Sequence, residues 1–226
     1  MAWSLPPSCP SHVMADTDWT IATQMHLAQG TVPMGSRCIN TTKDGRTCNQ
    51  PLDAAGIHWA TCPCGGARVS AHNAVRDAVA GLCRAAGCTE VHTETLRPDA
   101  PGRYDVTARK PDGSLLVVDV TIASPLTHTA FASGAAHTPG TAAARAEANK
   151  RAHYAAAATG VTCAAWEVGG RPGPEAHALI RKLCPYPTGP DRTIWLKAAW
   201  QTLAVTFRRA LVAGVRSGMQ RGFNNA

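Results

Sequence analysis

The sequence contains few aromatic residues and no long apolar run. Aromatic side chains make up 5% of its 226 residues. No apolar run reaches the ~18 residues that a membrane-spanning helix needs. The first stretch, MAWSLPPSCPSHVMAD, lacks the basic-then-apolar order of a secretion signal. We therefore expect neither a membrane-spanning nor a secreted protein, and the length suits one domain with a small appendage.

Acidic residues are also scarce. The chain has 15 Asp and Glu and 22 Lys and Arg, which gives a net charge of +7. The excess is uneven. From Asp191 to the end, six basic residues meet one acidic residue, a net charge of +5: Arg192, Lys197, Arg208, Arg209, Arg216 and Arg221. A basic terminal helix of this kind indicates nucleic-acid binding, and a solvated helix face is the alternative.

Nine cysteines are present, several of them near histidines. Without a secretion signal, metal binding is favoured over a disulfide framework. One set has the spacing C-x9-C-x9-H-x3-C and provides three thiolates and one imidazole, a complete tetrahedral zinc set: Cys38, Cys48, His58 and Cys62. Because the protein fills all four positions, the site should be structural. Cys64 and His72 are possible substitutes, and scattered free cysteines are the alternative.

Residues 36–66 around this set are rich in Cys, Gly, Asn and Thr and show no helix or strand period. A segment this polar cannot offset its ordering entropy by burial. We therefore expect metal to supply its folding energy.

The stretch from Thr89 to Ile122 predicts three short strands, the last two joined by the Pro-Asp-Gly turn at 111–113. The third strand is a nearly continuous apolar run, which is typical of burial on both faces, but Asp119 interrupts it. A buried carboxylate is costly unless it is paired. A metal shared with Asp105 is one explanation, and a local cap or salt bridge at the strand end is the other.

Helical periods and turn residues place the remaining elements around these strands. Asp16 is expected to cap a first helix with Trp19, Met25 and Leu27 as its apolar residues. Helices are predicted at about 17–29, 70–86, 141–158, 175–184 and 193–215, a further strand at 161–168 and a loop at 123–140. This order predicts an α/β fold, a small mixed sheet flanked by helices.

Several runs occur in an order that resembles a known family. They are CNQPLDAAGIHWATCPCGG from Cys48, HNAVRDAV from His72, RPDAPGRYDV from Arg97, LLVVDVTIASPL from Leu115 and KRAHY from Lys150. Together they resemble the C-terminal region of non-LTR retrotransposon reverse transcriptases that carry a restriction-like endonuclease. In that family a CCHC zinc knuckle precedes a nuclease of the PD-(D/E)XK type. The resemblance covers roughly residues 16 to 215.

The resemblance implies four parts. Residues 1–35 form an N-terminal tail and helix, 36–66 the zinc knuckle, 67–185 the restriction-endonuclease-like domain, and 186–226 the basic C-terminal helix.

The resemblance also assigns roles at the site. Asp105 and Asp119 match the two metal-binding aspartates, which would hold Mg²⁺ or Mn²⁺. The general nuclease pattern has a lysine where Thr121 stands. In the retrotransposon enzymes the lysine comes from the next helix and a tyrosine follows it, which Lys150 and Tyr154 fit. A solvated lysine on an Ala-rich helix is the alternative for Lys150.

Other family positions are matched more loosely. Glu94 matches an extra acidic ligand on the first strand, although an exposed strand glutamate is the favoured interpretation. Asp99 rivals Asp105 for the first metal position. His72 and Arg76 match a family helix and could serve packing or phosphate contact.

The implied function is nicking of DNA at a target site, which frees a 3′ end that primes reverse transcription. The implied cofactors are structural Zn²⁺ and catalytic Mg²⁺ or Mn²⁺, the partners are DNA and element RNA, and the location is nuclear.

No polymerase motif with paired aspartates is present. We therefore expect a piece of a larger polyprotein or of a decayed element. The alternative function is a catalytically dead, zinc-dependent nucleic-acid-binding module.

Overall fold

A computed structural model gives the fold. It describes residues 10–27, 29–30, 32–33, 35–98, 100–125, 127, 130, 132, 134–135, 137–155 and 160–223. The chain divides into two compact units. The first contains residues 1–74 and 204–226, and the second contains residues 75–203.

The described residues form six α-helices and four strands. The helices are α1 (Asp16–His26), α2 (Ile57–Thr61), α3 (Ala67–Ala85), α4 (Thr141–His153), α5 (Pro174–Leu183) and α6 (Gly189–Phe223). The strands are β1 (Thr89–Leu96), β2 (Arg103–Arg109), β3 (Leu115–Ala123) and β4 (Val161–Glu167).

The second unit is built on one four-stranded sheet in the order β1-β2-β3-β4. The first two pairings are antiparallel, whereas β3 and β4 run parallel. The Pro-Asp-Gly turn joins β2 to β3, and its Gly113 adopts a positive φ of 81°, which favours glycine. A mixed sheet flanked by helices is therefore confirmed, as are the three strands of residues 89–122 and the strand that begins at Val161.

The core of the second unit lies around the two central strands. Residues 104–108 of β2 and 117–120 of β3 are buried without alternation, as expected for strands covered on both faces. Helix α4 packs on β3 and β4, and α5 packs on β4 and on α4. The face of α3 predicted from its period is buried: Val75, Val79 and Leu82.

The first unit contains a hairpin of residues 36–52. Isolated bridges join Arg37 to Pro51 and Thr41 to Thr47. Helix α2 follows the hairpin and packs against the end of α6, where a Cβ added at Gly218 would overlap the Trp59 ring. Glycine at that position therefore permits the close approach of the two helices.

Three predicted features differ from the structure. Asp16 does not cap α1, because Ala15 is the N-cap residue and no side chain caps it. Of the three apolar residues assigned to that helix, Met25 is buried, whereas Trp19 is 48% and Leu27 56% exposed. Helix α2 lies where no helix was predicted, because its five residues are too few to show a period.

The ends of two other helices also differ. Helix α6 begins at Gly189, before the predicted start at residue 193, because proline at 190 is tolerated in the first helical turn. Helix α4 ends at His153, and part of the remainder of its predicted range, residues 156–159, lies outside the described residues. The predicted loop of residues 123–140 is described only in part.

Candidate metal centre and carboxylate site

The first site is a cluster of three cysteines and one histidine in the first unit. Cys38 and Cys48 lie on facing arms of the hairpin, where Asn49 N donates to Cys38 O at 2.9 Å. His58 lies in α2, and Cys62, four residues later, is the C-cap residue of that helix. Four residues make about one helical turn, so both side chains reach the same side of α2.

A carboxylate fixes the start of α2 and therefore the position of its histidine. Asp53 accepts hydrogen bonds from Ile57 N at 2.9 Å and from His58 N at 2.8 Å. These contacts satisfy two of the amides that a helix start leaves without an intrahelical partner.

Two of the separations between the ligand atoms match those of a tetrahedral zinc site. Cys38 Sγ lies 3.7 Å from Cys62 Sγ, and Cys48 Sγ lies 3.5 Å from His58 Nε2. All four ligand atoms lie within 4.8 Å of one another. Zn–S bonds of about 2.3 Å and Zn–N bonds of about 2.05 Å at tetrahedral angles require about 3.8 Å between sulfurs and about 3.5 Å between sulfur and nitrogen. The predicted residues therefore form a cluster that could bind a metal such as zinc.

The protein environment shifts the pKa values of the ligands in different directions. Burial lowers the pKa of His58, which favours the neutral imidazole that binds metals. Burial raises the pKa of Cys38 to about 12 in the metal-free protein. Burial also acts to raise the pKa of Cys62, but that pKa is lowered, because Asn40 and the Cys64 amide favour the thiolate. A coordinated divalent cation would reverse the effect on Cys38.

A second layer of contacts surrounds Cys62. Cys64 N donates to Cys62 Sγ at 3.4 Å, so Cys64 contributes a backbone amide and is not one of the four clustered ligands. Arg221 donates to Asn40 Oδ1 at 2.8 Å and so fixes the Asn40 amide. Asn40 Nδ2 is buried and has no acceptor of standard geometry in the described structure. The other candidate substitute, His72, lies 3.4 Å from Asn73 Oδ1 through its Nδ1.

The second site is a pair of buried carboxylates in the second unit. Asp105 on β2 is 9% exposed and Asp119 on β3 is 4% exposed. The strand register pairs Val106 with Val118, which places the two aspartates at the next facing position. Asp105 Oδ2 accepts a hydrogen bond of 2.6 Å from Val120 N, so its side chain reaches the backbone of the neighbouring strand.

Helix α4 brings a lysine and a tyrosine to Asp119. Lys150 Nζ lies 3.0 Å from Asp119 Oδ2, and Tyr154 Oη donates to Asp119 Oδ1 at 2.8 Å. The two residues are one turn apart at the end of the helix, where Tyr154 N donates to Lys150 O at 3.0 Å. Burial and the Asp119 carboxylate raise the pKa of Tyr154, so it remains a protonated donor at neutral pH.

One oxygen of Asp119 has spare capacity to bind a ligand. Asp119 Oδ2 is buried and, among the described residues, receives no hydrogen bond of standard geometry, although Lys150 forms an ion pair with it. The lysine side chain is 38% exposed, so its ammonium also reaches solvent. A carboxylate next to a second carboxylate suits a hard divalent cation such as Mg²⁺.

Glu94 faces Asp105 across the sheet, but its carboxylate pairs with Arg76. The β1–β2 register places it opposite Asp105, and its φ of 56° lies in the left-handed region. Its carboxylate lies 2.5 Å from the guanidinium of Arg76, which also binds Asp77 at 2.8 Å. Among the described residues, the Cys and His cluster is the one set of three or more His, Cys, Asp and Glu ligands that converges. Glu94 therefore does not complete a three-carboxylate ligand set, and the rival Asp99 lies outside the described residues.

The sequence analysis missed two charged residues of this unit. The guanidinium of Arg97 lies 5.0 Å from the ring centre of Tyr154 and 5.7 Å from that of Tyr104. Glu147 on α4 is 1% exposed. Its carboxylate accepts hydrogen bonds from three backbone amides of β4 and α5: Ala165, Glu175 and Ala176. Neither residue has a sequence signal, because an arginine beside a turn and a glutamate in an Ala-rich helix both resemble solvent-facing residues.

The basic charge of α6 is partly engaged inside the first unit. Arg208 is buried, and burial lowers its pKa to about 10. Arg209 donates to Val13 O, and Arg216 binds Asp18 at 2.8 Å. The buried charge of Arg208 and the paired charge of Arg216 are therefore less available to a nucleic acid than the sequence alone indicated.

No protein-family model matches the chain, and comparison with curated proteins gives no match either. Within the part of the chain that the structure describes, no helix is long and apolar enough to cross a membrane.

Proposed function

We propose that the second unit is a metal-dependent DNA endonuclease of the restriction-like type, and that the Cys and His cluster is a structural zinc module in the same chain. The observation that supports this proposal most is the environment of Asp119. Its two oxygens face a lysine at 3.0 Å and a tyrosine hydroxyl at 2.8 Å, and Asp105 lies on the adjacent strand.

Asp105 and Asp119 would hold Mg²⁺ or Mn²⁺. Such a cation lowers the pKa of bound water and neutralises charge on the phosphate oxygens of DNA. Tyr154 holds Asp119 Oδ1 through its hydroxyl, which leaves Oδ2 as the oxygen available for the metal.

Lys150 supplies a fixed positive charge at the solvent-exposed side of Asp119. Because it is half-exposed and lies beside Asp119 Oδ2, its ammonium can reach a phosphate oxygen that approaches the carboxylate. There it would stabilise the negative charge that builds during hydrolysis of the phosphodiester. Thr121 cannot replace it, because a hydroxyl carries no charge.

In an element of the type the sequence resembles, nicking would free the 3′ end that primes reverse transcription. The partners would then be chromosomal DNA and element RNA, and the site of action the nucleus. These assignments rest on the resemblance of the sequence.

A zinc-dependent nucleic-acid-binding module without catalysis is the second candidate. One observation favours it: among the described residues, the Cys and His side chains are the one convergent ligand set, whereas the carboxylates contribute two residues. Two carboxylates can still bind Mg²⁺ weakly with waters and a substrate phosphate as further ligands.

Nicking of supercoiled plasmid by the full chain separates the two candidates. We expect nicking with Mg²⁺ or Mn²⁺, none without added metal and none in Asp119→Asn. Lys150→Ala should be roughly 10²-fold slower, the usual effect of removing one charge-stabilising group. Lys182→Ala removes an exposed lysine of α5 and is the matched control, expected at the wild-type rate. Wild-type protein that binds DNA but does not nick it with either metal would favour the binding module.

A further inference from the structure

Asn40 is buried beside the ligands of the Cys and His cluster. It is 4% exposed and lies on the hairpin two residues after Cys38. Its backbone carbonyl accepts a hydrogen bond from Cys48 N at 2.8 Å, across the hairpin. The backbone of Asn40 is therefore fixed next to two of the four ligands, and its side chain is enclosed by the first unit.

The orientation of the Asn40 amide follows from its partners. Arg221, near the end of α6, donates to Asn40 Oδ1 at 2.8 Å. A guanidinium has no acceptor, so the atom that it contacts must be the amide oxygen. Gly65 lies against the other branch, because a Cβ there would overlap Asn40 Nδ2 and lie farther, 3.2 Å, from Asn40 Oδ1. The amide nitrogen therefore faces the turn that follows Cys62.

This amide nitrogen is a buried donor close to a cysteine sulfur. Among the described residues, Asn40 Nδ2 has no acceptor of standard geometry. Burial acts to raise the pKa of Cys62, and hydrogen-bonding contacts from the Asn40 side chain and the Cys64 amide lower it. A thiol sulfur is a weak acceptor, whereas a thiolate is charged and accepts N–H donors more strongly. Because metals bind cysteine as the thiolate, metal binding would supply the acceptor that this donor lacks.

We propose that Asn40 and Arg221 are positioning residues of the metal centre: Asn40 donates its amide to the metal-bound thiolate of Cys62, and Arg221 holds Asn40 in the orientation that this requires. The inference rests on the zinc module of the proposed function, but its test reads metal binding and not cleavage. Arg221 also donates to Ser217 Oγ at 2.5 Å, so α6 itself holds the guanidinium. The knuckle of residues 36–66 is then not self-contained, because one of its supports comes from the C-terminal helix.

The test is the affinity of the full chain for Zn²⁺, measured by competition with a chromophoric chelator under reducing conditions. Asn40→Ala should weaken zinc binding about 10- to 100-fold, the usual effect of losing an outer-shell partner. Arg221→Ala should weaken it less, because the amide remains but is no longer oriented, and the double variant should be no weaker than Asn40→Ala. Arg216→Ala is the matched control, because it removes the same charge from the same helix but from a contact with Asp18.

Asn40→Asp separates the amide donor from a packing role. An aspartate keeps the acceptor for Arg221 and nearly the same volume, but it has no N–H to offer Cys62. It should therefore bind zinc more weakly than the wild type, whereas aspartate would serve equally well if the residue only held α6. Co²⁺ gives a second readout, since loss of a hydrogen bond to a thiolate ligand shifts the sulfur-to-metal charge-transfer band to lower energy. We expect that shift in both Asn40 variants and not in Arg216→Ala.

Gly65 tests the position of the amide without removing it. Its φ lies outside the left-handed region, so alanine is compatible with the backbone, but the added Cβ would overlap Asn40 Nδ2. Gly65→Ala should therefore weaken zinc binding in the wild type and have little further effect in Asn40→Ala. Thermal unfolding shows which variants are folded, and Asn40→Asp with Gly65→Ala still decides the question if Asn40→Ala does not fold.

The inference is overturned if Asn40→Ala binds zinc like Arg216→Ala, or if Asn40→Asp matches the wild type in zinc affinity and in the Co²⁺ band. Additive effects of Asn40→Ala and Arg221→Ala on zinc affinity contradict the role of Arg221. Wild-type protein that binds zinc but neither binds nor nicks DNA contradicts the proposed function and leaves the Asn40 comparison intact. Wild-type protein that binds no zinc overturns both the zinc module and this inference.

Discussion

Replacement of Glu147 should destabilise the second unit more than any change at its surface. The Glu147 carboxylate is buried and accepts hydrogen bonds from Ala165 N at 3.2 Å, Glu175 N at 3.0 Å and Ala176 N at 3.0 Å. It therefore joins α4 to β4 and to the first turn of α5, where helix amides have no partner within the helix. Glu147→Ala leaves these three amides inside the protein without an acceptor.

The magnitude follows from the number of amides. Each buried donor left without a partner costs about 1–3 kcal/mol, so three cost on the order of 3–6 kcal/mol when some relaxation is allowed. That is about half of the 5–15 kcal/mol that stabilises an ordinary domain. Glu167 provides the matched control, since its buried carboxylate accepts one amide, Ala142 N at 3.1 Å, and its loss should cost about 1–3 kcal/mol.

Gly173 gives a second test of the same contact. A Cβ at this position would overlap the Glu147 carboxylate, which its three hydrogen bonds prevent from moving. Gly173→Ala should therefore destabilise the wild type but have little further effect in Glu147→Ala, where the overlap is gone. Such coupling is the signature of two groups in contact.

Urea unfolding followed by circular dichroism measures these differences as shifts in midpoint at constant slope. The reasoning is refuted if Glu147→Ala is at least as stable as Glu167→Ala. It is also refuted if the effects of Glu147→Ala and Gly173→Ala on the free energy of unfolding are additive. Because Lys150 lies on the same helix three residues after Glu147, folded Glu147 variants should also nick DNA more slowly.

Three further outcomes are expected. Cys62→Ala should lower the zinc content of the purified protein from about one per chain to nearly zero by metal analysis, and residues 36–66 should become sensitive to protease; zinc-free wild type prepared without chelator would contradict this. Arg216→Ala should scarcely change DNA affinity in a salt series, because Asp18 already neutralises that arginine; a clear loss would place it on the DNA surface. Tyr104→Phe should leave the urea midpoint unchanged or raised, because Tyr104 Oη is buried and has no hydrogen-bond partner in the described structure; a loss above about 1 kcal/mol would indicate a partner.

The elements of the second unit could be predicted because their signals are local. A turn of Pro-Asp-Gly between two apolar runs specifies an antiparallel pair, and Val75, Val79 and Leu82 mark the buried face of a helix. The zinc ligands could be predicted for the same reason, since H-x3-C within one helical turn fixes two of the four ligands.

The partners of charged side chains could not be predicted, because they depend on contacts between distant parts of the chain. The sequence predicts that Arg208 is a surface cation of a basic helix, yet it is buried. Glu147 reads as a solvated residue among alanines, yet it is the buried acceptor of three amides. The sequence favours an exposed strand residue over a ligand for Glu94, and its pairing with Arg76 comes from α3, 18 residues earlier in the chain.

The lysine beside Asp119 gives the most direct test of the proposed chemistry. Thr121 lies two residues after Asp119 on β3, on the same face of the strand, where a lysine would also reach the carboxylate site. The measurement is the rate of plasmid nicking in Mg²⁺ by wild type, Lys150→Ala and the double variant Lys150→Ala with Thr121→Lys. We expect wild type to nick, Lys150→Ala to be roughly 10²-fold slower, and the double variant to recover part of the loss. Wild type that nicks no faster than Asp119→Asn would contradict the assignment of this site as an endonuclease.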